Sequence, residues 1–330
     1  MSNFALLTSR EYVKDVTSEI KKARKRAYSL TLVITKDSET KELIEAIKKG
    51  AKRGLETNIT IDAFTYSELS GAFSPRKKQK TPSVVTTKML SGLASAGAKT
   101  HVLHDGLPTL NPFSGVTHIK WFVVDDIVYC FGGVNLYKKG IGHTDYMFKT
   151  HNKELADILI KEQKKIIECD KKGVCYDGLK AALPFGDVLI DSGKKQDSPI
   201  YDQACKLAEQ SKEILFVSQY CPTGKLVKYL KNTPSKIYFN PPRIATDINS
   251  KLLIKSSMLR TGLKTIYKKD TYIHAKFVIF TLKDGTKIAL AGSHNFAYSG
   301  VKLGTKEVAL KTINPEIISQ LESFYKKYIA

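Results

Sequence analysis

The sequence lacks the features that would specify a disulfide framework, a zinc site or a membrane span. Its five cysteines are odd in number and form no Cys-x-x-Cys pair, a pattern that favours reduced thiols in the cytosol. No apolar run reaches the roughly 18 residues that a membrane-spanning helix needs. The N-terminal residues show no basic start followed by a long apolar core, so they predict no secretory signal peptide.

Acidic residues are scarce relative to basic ones. The chain has 53 lysines and arginines against 32 aspartates and glutamates, which gives a net charge of +21. Such an excess predicts a polyanionic partner, either nucleic acid or an anionic membrane surface, although a lysine-rich protein without such a partner has the same charge. The 330 residues are 42% hydrophobic and 26% charged, so the chain can bury a core and is not expected to be disordered.

One short pattern occurs twice. His118–Lys120 reads His-Ile-Lys and is followed by Gly132–Asn135, whereas His274–Lys276 reads His-Ala-Lys and is followed by Gly292–Asn295. Each copy predicts a strand, a turn, a second strand and a glycine-led bend that ends in asparagine. Because residues two apart in a strand share a face, each histidine is predicted to point the same way as its lysine.

The elements around the two motifs repeat as well. Helix, strand, helix and strand are predicted over residues 11–64, and the same order returns from residue 198. This order predicts an α/β fold, and its repetition predicts a tandem duplication whose halves pack about a pseudo-twofold axis. The predicted halves are residues 1–168 and 198–330, joined by a linker at 169–197 that contains a short apolar strand.

Residues 66–82 interrupt the periodic pattern. They include two prolines and a cluster of lysine and arginine residues, so a loop is predicted there. The loop could be a basic flap that meets phosphate groups or an ordinary solvated surface loop.

If the two motif strands meet, they create a site suited to a phosphodiester. The shared cleft would hold six side chains, namely His118, His274, Lys120, Lys276, Asn135 and Asn295. The lysines and amides can hold the phosphate oxygens and stabilise the charge that develops during substitution. One histidine can attack phosphorus, and the other can protonate the departing alkoxide and then activate water or an alcohol. No metal or other cofactor is expected, because the lysines supply the positive charge.

Two carboxylates are candidates for orienting the histidines. An attacking imidazole needs an acceptor at its second nitrogen to fix the tautomer. Asp145 and Glu307 lie at matching places after the two motifs, so they are predicted to be these acceptors, although surface carboxylates at strand ends would look the same. His294 is predicted to be structural. No functional role is assigned to the other four histidines, His101, His104, His143 and His151.

These residues resemble the phospholipase D superfamily, whose motif is His-x-Lys-x4-Asp-x6-Gly-(Gly/Ser)-x-Asn. The first copy fits throughout, with Asp125 at the acidic position, whereas the second copy has Thr281 there and a hairpin that is four residues longer. Strand alternation predicts that both residues face away from the cleft. In the family, that aspartate mainly supports the scaffold.

The resemblance implies a pseudo-dimeric phospholipase D fold. Two duplicated α/β/α halves with mixed sheets would surround one shared active site that works without a metal through a phosphohistidine intermediate. Family members pair each histidine with an acid from the opposite half, which matches His118 with Glu307 and His274 with Asp145. The choice of His118 as the attacking residue rests on this resemblance.

The Gly-Gly-x-Asn form of the first motif is similar to that of bacterial cardiolipin synthases, as is the Asn-Pro-Phe sequence that starts at Asn111. This likeness implies a phosphatidyltransferase that moves a phosphatidyl group from a phospholipid to an alcohol. The enzyme would be cytoplasmic and peripheral on the inner face of an anionic membrane. The alternatives are a nuclease on DNA or RNA, a phospholipid hydrolase, and an inactive binding scaffold. The intact histidines and lysines of both motifs disfavour the scaffold.

Overall fold

The computed structural model describes residues 4–70, 81–105, 115–245 and 248–330. At residues 81, 82 and 249 it describes the backbone alone. Within these ranges the chain forms two seven-stranded mixed sheets, one in each half. This architecture confirms the predicted α/β class and the duplication.

The first sheet is built from the N-terminal half. Its strands are β1 (Phe4–Thr8), β2 (Arg26–Thr31), β3 (Glu56–Asp62), β4 (Lys99–Leu103), β5 (Trp121–Val124), β6 (Ile127–Cys130) and β7 (Tyr146–His151). They pair in the order β1-β7-β6-β5-β2-β3-β4. Only β3 is parallel to its neighbours β2 and β4, and the other pairs are antiparallel. The helices of this half are α1 (Ser9–Lys22), α2 (Lys41–Lys52), α3 (Phe64–Ser70), α4 (Thr81–Ala94), α5 (Lys138–Ile141) and α6 (Lys153–Lys172).

The second sheet repeats this plan. Its strands are β8 (Leu179–Leu183), β9 (Gly186–Ile190), β10 (Ser211–Val217), β11 (Ser235–Tyr238), β12 (Phe277–Leu282), β13 (Lys287–Gly292) and β14 (Val308–Thr312). They pair in the order β11-β10-β12-β13-β14-β9-β8, and only β10–β11 is parallel. The helices are α7 (Pro199–Gln210), α8 (Leu226–Asn232), α9 (Ile248–Thr261), α10 (Tyr298–Leu303) and α11 (Pro315–Phe324), with a π-helical turn at Tyr325–Ile329. No helix in the described ranges has the length and apolar character needed to cross a membrane.

A shared apolar core joins the two sheets. This core includes Ile119 and Tyr146 from the first half and Phe277 and Ile279 from the second, and all four are buried. The rings of Tyr146 and Phe277 meet edge to face with centroids 6.0 Å apart, a favourable aromatic geometry. Burial of these side chains fixes one sheet against the other and so fixes the ends of the strands that carry the motifs.

The segment 169–197, predicted as a linker, contains the end of α6 and the β8–β9 hairpin. β9 pairs antiparallel with β14 in the same way that β1 pairs with β7. The hairpin therefore extends the second sheet, and β9 is the counterpart of β1 in the duplication.

The loop predicted at 66–82 is wrong at both ends, because α3 extends to Ser70 and α4 begins at Thr81. α3 has only seven residues, too few to show a helical period, and buried Thr65 and Tyr66 hold it in place. Residues 71–80, which include the predicted basic cluster, lie outside the described residues. So does the Asn-Pro-Phe sequence at Asn111.

Candidate active site

Both His-x-Lys segments lie just before a strand, not within one. They are extended and precede β5 and β12, so the prediction that they form part of regular strands is wrong. The reason is that each segment leaves its own sheet and pairs with the other half. The His118 N–H donates to the Lys306 carbonyl at 2.8 Å, and the His274 N–H donates to the Thr144 carbonyl at 2.9 Å. This exchange places each histidine beside the acid of the opposite half.

Two imidazole–carboxylate pairs result. Nδ1 of His118 lies 3.0 Å from Oε1 of Glu307, and Nδ1 of His274 lies 2.6 Å from Oδ2 of Asp145. Both carboxylates are buried, whereas the His118 side chain is 26% exposed and the His274 side chain 10% exposed. Fixing Nδ1 in this way leaves Nε2 as the nitrogen available to a substrate.

The two motif lysines lie buried behind the histidines. Nζ of Lys120 donates to the His118 carbonyl at 2.6 Å. Nζ of Lys276 donates to the His274 carbonyl and lies 3.2 Å from Nδ1 of the same ring. Burial disfavours the charged ammonium and lowers the pKa of Lys120 to about 8 and that of Lys276 to about 7, although Glu307 and Asp145 oppose the change. A bound phosphate anion would restore the charge on both lysines.

The two carboxylates occupy equivalent positions, but their pKa values are shifted in opposite directions. Burial acts to raise the pKa of Glu307, but the attraction and hydrogen bond of His118, together with the attraction of His294 and Lys120, outweigh it and hold the pKa at about 2. Burial raises the pKa of Asp145, and the attraction of Lys276 does not cancel this effect. Oε2 of Glu307 also accepts from Ser293 Oγ at 2.5 Å, whereas Oδ1 of Asp145 accepts from the Tyr146 N–H at 2.8 Å.

Steric contacts explain the glycines that open each bend. A Cβ at Gly132 would lie 1.9 Å from the Tyr146 carbonyl oxygen, and a Cβ at Gly292 would lie 2.1 Å from that of Val308. No other residue tolerates such an approach. The close approach brings each bend against the strand that starts beside Asp145 or Glu307.

The two motif asparagines have unpaired amide oxygens. Oδ1 of Asn135 and Oδ1 of Asn295 are buried and have no hydrogen-bond partner within the described part of the chain. Unsatisfied buried groups are costly and rare. Their occurrence at matching positions of the two motifs fits side chains that bind a polar ligand, because an amide can present either its oxygen or its nitrogen.

Comparison with known proteins matches one domain to a family and the whole chain to a fold. Residues 16–167 match the family model described as "Cardiolipin synthase, PLD-like domain". Phosphatidylserine synthase from Haemophilus influenzae Rd KW20 superposes on 99% of this chain and 87% of its own, with a TM-score of 0.70 and 16% identity. Residues 16–167 therefore form a phospholipase D-like domain, and the chain as a whole has the fold of that synthase. The domain match and the shared fold together indicate an enzyme that transfers or hydrolyses phosphodiesters.

A second solved structure has a similar fold. Polyphosphate kinase from Porphyromonas gingivalis superposes on 97% of this chain and 49% of its own, with a TM-score of 0.61 and 10% identity. A comparison with curated proteins gave no match.

The phospholipase D motif aspartate lies outside the cleft, as predicted. Asp125 is in the turn between β5 and β6, and its carboxylate accepts the N–H groups of Arg24, Lys25 and Arg26 at 2.8 to 3.0 Å. Its counterpart Thr281 lies within β12. The substituted position of the second motif is therefore part of the sheet, where Thr281 pairs with Glu213 and Lys287.

Two polar residues that the sequence reasoning missed anchor the motifs of this phospholipase D-like chain. Asp62 Oδ2 accepts the Thr117 N–H, and Asn240 Oδ1 accepts the Ile273 N–H, both at 2.8 Å. Each thus holds the residue that precedes a motif histidine. Nδ1 of His104 also contacts Asp62 Oδ2 at 2.8 Å, so His104 has a partner that was not predicted. The sequence feature that could have indicated Asp62 and Asn240 is a polar residue at or just after the end of β3 and of its counterpart β11.

Two further histidines lie close to the phospholipase D motifs. The His143 ring packs 5.7 Å from the His274 ring, its Nδ1 has no partner among the described residues, and burial lowers its pKa to about 3. The sequence did not predict that His143 lies beside His274. Nδ1 of His294 accepts the Phe296 N–H at 2.8 Å, and burial lowers the pKa of His294 to about 4. His294 therefore shapes the second bend, in agreement with its predicted structural role.

Proposed function

We propose that this protein is a phosphatidyltransferase of the cardiolipin synthase type, which moves a phosphatidyl group from a phospholipid to an alcohol. The observation that carries the proposal is the pair of carboxylate–imidazole contacts that cross between the halves, Glu307 with His118 and Asp145 with His274. Two imidazoles held in this way, with one ammonium behind each, suit a two-step displacement at phosphorus.

In the first step, Nε2 of His118 attacks phosphorus while His274 protonates the oxygen of the departing alcohol. The P–N bond forms as the P–O bond breaks, which leaves the phosphatidyl group on His118. In the second step, His274 takes the proton of the incoming alcohol, whose oxygen attacks phosphorus and releases His118. Glu307 holds the Nδ1 proton of His118 throughout, because its low pKa keeps it ionised.

The proton on His274 is coupled to substrate binding. Burial beside Lys276 and Lys120 lowers the pKa of His274 well below its usual value, so the ring is neutral before substrate arrives. An entering phosphodiester anion opposes the two ammonium charges and raises that pKa again. His274 therefore becomes protonated when a phosphodiester binds, and it can then act as the general acid.

Three observations favour a phospholipid as the substrate. The family model over residues 16–167 is named for cardiolipin synthase. A phosphatidylserine synthase superposes on nearly the whole chain. The net charge of +21 would hold the enzyme on an anionic membrane. We therefore expect it on the inner face of the cytoplasmic membrane, with phosphatidylglycerol as a candidate donor and acceptor.

The test is direct. Purified protein is incubated with mixed phospholipids and an alcohol and, in separate reactions, with DNA and with RNA, and the products are separated. We expect a new phospholipid from the wild type and none from His118→Ala. Cleavage of nucleic acid with no lipid product would replace this proposal with a nuclease. Near-normal turnover by His118→Ala would remove the role given to that residue.

A rapid quench of the reaction without acid tests which of the two histidines attacks phosphorus. Phosphohistidine is acid-labile, so the adduct is preserved at alkaline pH and located by peptide mass spectrometry. We expect it on His118, and an adduct on His274 would exchange the two roles.

A further inference from the structure

Exposed apolar side chains are concentrated on α9 and the residues that follow it. The described residues contain eight exposed large hydrophobic side chains, and five of them fall within residues 248–266. These five are Ile248, Leu252, Leu253, Leu259 and Ile266. The other three, Val85, Val174 and Ile313, are scattered. Single exposed hydrophobic residues need no explanation, whereas a contiguous group marks an interaction surface.

The exposed residues form a stripe on the outer side of α9. Ile248, Leu252 and Leu259 are four and seven residues apart and are 76%, 59% and 85% exposed, and this spacing places them on one helical face. The opposite face, with Ile254 and Thr261, is buried against the protein. A helix at the surface of a soluble protein normally turns its polar face outward, so α9 has an outer face without an apolar partner among the described residues.

The same segment is strongly basic. Residues 248–269 contain six lysine or arginine residues and no aspartate or glutamate. Lys251, Lys255 and Arg260 are exposed on α9 and flank the apolar stripe. The nearest following acid, Asp270, is paired with Arg243 at 2.8 Å. Lys251, Lys255 and Arg260 form no ion pair within the described part of the chain, and apolar side chains rimmed by such cations are the combination that binds an anionic bilayer surface.

We propose that residues 248–266, the docking segment, hold this protein on an anionic phospholipid bilayer. The aliphatic side chains enter the acyl boundary while the lysines and Arg260 contact lipid phosphates. This proposal rests on the proposed phosphatidyltransferase function, because it supplies the surface from which a lipid substrate reaches the cleft.

The character of the docking segment disfavours two other occupants. Single-stranded nucleic acid is held by aromatic side chains on which bases stack, but the exposed apolar residues of the segment are leucine and isoleucine. A second copy of this chain would bring the four cations of its own segment against these four, and like charges repel across an interface.

The docking segment is joined to the active-site end of the second sheet. Thr261 Oγ1 lies 3.5 Å from Sγ of Cys221, four residues beyond the end of β10. At that same end of β10, the Ser218 hydroxyl donates to the Asn295 carbonyl at 2.9 Å. A bilayer bound at the segment would therefore adjoin the part of the molecule that carries Asn295 and His274.

The experiment measures the co-sedimentation of the full chain with vesicles of phosphatidylcholine, with or without phosphatidylglycerol. The wild type should bind the anionic vesicles and lose binding in high salt. Leu252→Ser combined with Leu259→Ser should weaken binding by about tenfold for each leucine removed. Lys251→Glu combined with Lys255→Glu should also weaken it. The matched control is Ile313→Ser, which removes an exposed hydrophobic residue elsewhere and should bind as the wild type does.

Hydrolysis of a small water-soluble phosphodiester by the same variants shows that they are folded, and it should be unchanged in all of them. Wild-type binding by the leucine variant would overturn the proposal. The proposal would also be overturned if the leucine variant kept vesicle binding but lost RNA binding. The same holds if the variant kept vesicle binding but no longer formed a concentration-dependent dimer. Vesicle binding that depends on the segment, in a protein that makes no lipid product, would keep this proposal and refute the phosphatidyltransferase function.

Discussion

Replacing Glu307 by Gln tests whether the negative charge of this side chain orients His118 and stabilises the fold. Glu307 is 3% exposed and lies 3.0 Å from Nδ1 of His118. Glutamine keeps the size of the side chain and removes its charge. Its amide can donate to Nδ1, which would move the ring proton to Nε2 and occupy the nitrogen that attacks.

The cost in stability follows from the pKa. A carboxyl whose pKa falls from 4.5 to about 2 prefers its ionised form in the fold by ~3 kcal/mol. This contribution is complete above pH 4.5 and is lost as the pH falls toward 2. Because glutamine resembles the neutral acid, Glu307→Gln should lower the free energy of unfolding at pH 7 by ~3 kcal/mol.

Asp145→Asn is the matched control. Asp145 occupies the equivalent place, but burial raises its pKa, so the fold already favours its neutral form. Asparagine should therefore cost little stability at that position. Both variants should lose turnover by about 10²–10⁴-fold, because each histidine loses the group that orients it.

Urea unfolding at pH 7 and phosphatidyl transfer under single-turnover conditions measure the two effects. Equal destabilisation by the two variants would refute the electrostatic asymmetry between the halves. Normal turnover in Glu307→Gln would show that the crossing pair does not orient His118.

Two further predictions concern charge and scaffold. Because burial lowers the pKa of Lys120 to about 8 and that of Lys276 to about 7, both ammonium groups are fully charged only at lower pH, and kcat/KM should fall as the pH rises through 7 to 8. A pH profile that stays flat up to pH 10 would contradict this. Asp125→Ala removes the acceptor of three backbone N–H groups and should lower the free energy of unfolding by about 1–3 kcal/mol with kcat unchanged. A large loss of kcat at normal stability would instead place Asp125 in the chemistry.

The sequence by itself determined the main outline of this protein. The repeated His-x-Lys and glycine–asparagine patterns, together with repeated helices and strands, predicted two α/β halves. The crossing of His118 with Glu307 and of His274 with Asp145 followed from the family resemblance. These features could be read because they depend on local periodicity and on a motif whose members are close in the chain. The same local reasoning placed Asp125 away from the cleft, where the structure finds it.

Only the tertiary structure decided how the two halves differ. The pKa of Glu307 is lowered whereas that of Asp145 is raised, because each depends on burial and on charges more than a hundred residues away. The anchors Asp62 and Asn240 act on backbone groups 55 and 33 residues further along the chain. The sequence of α9 likewise shows leucines among lysines, and only packing shows which of its faces is left uncovered. Non-local contacts set each of these properties, and no short pattern encodes such contacts.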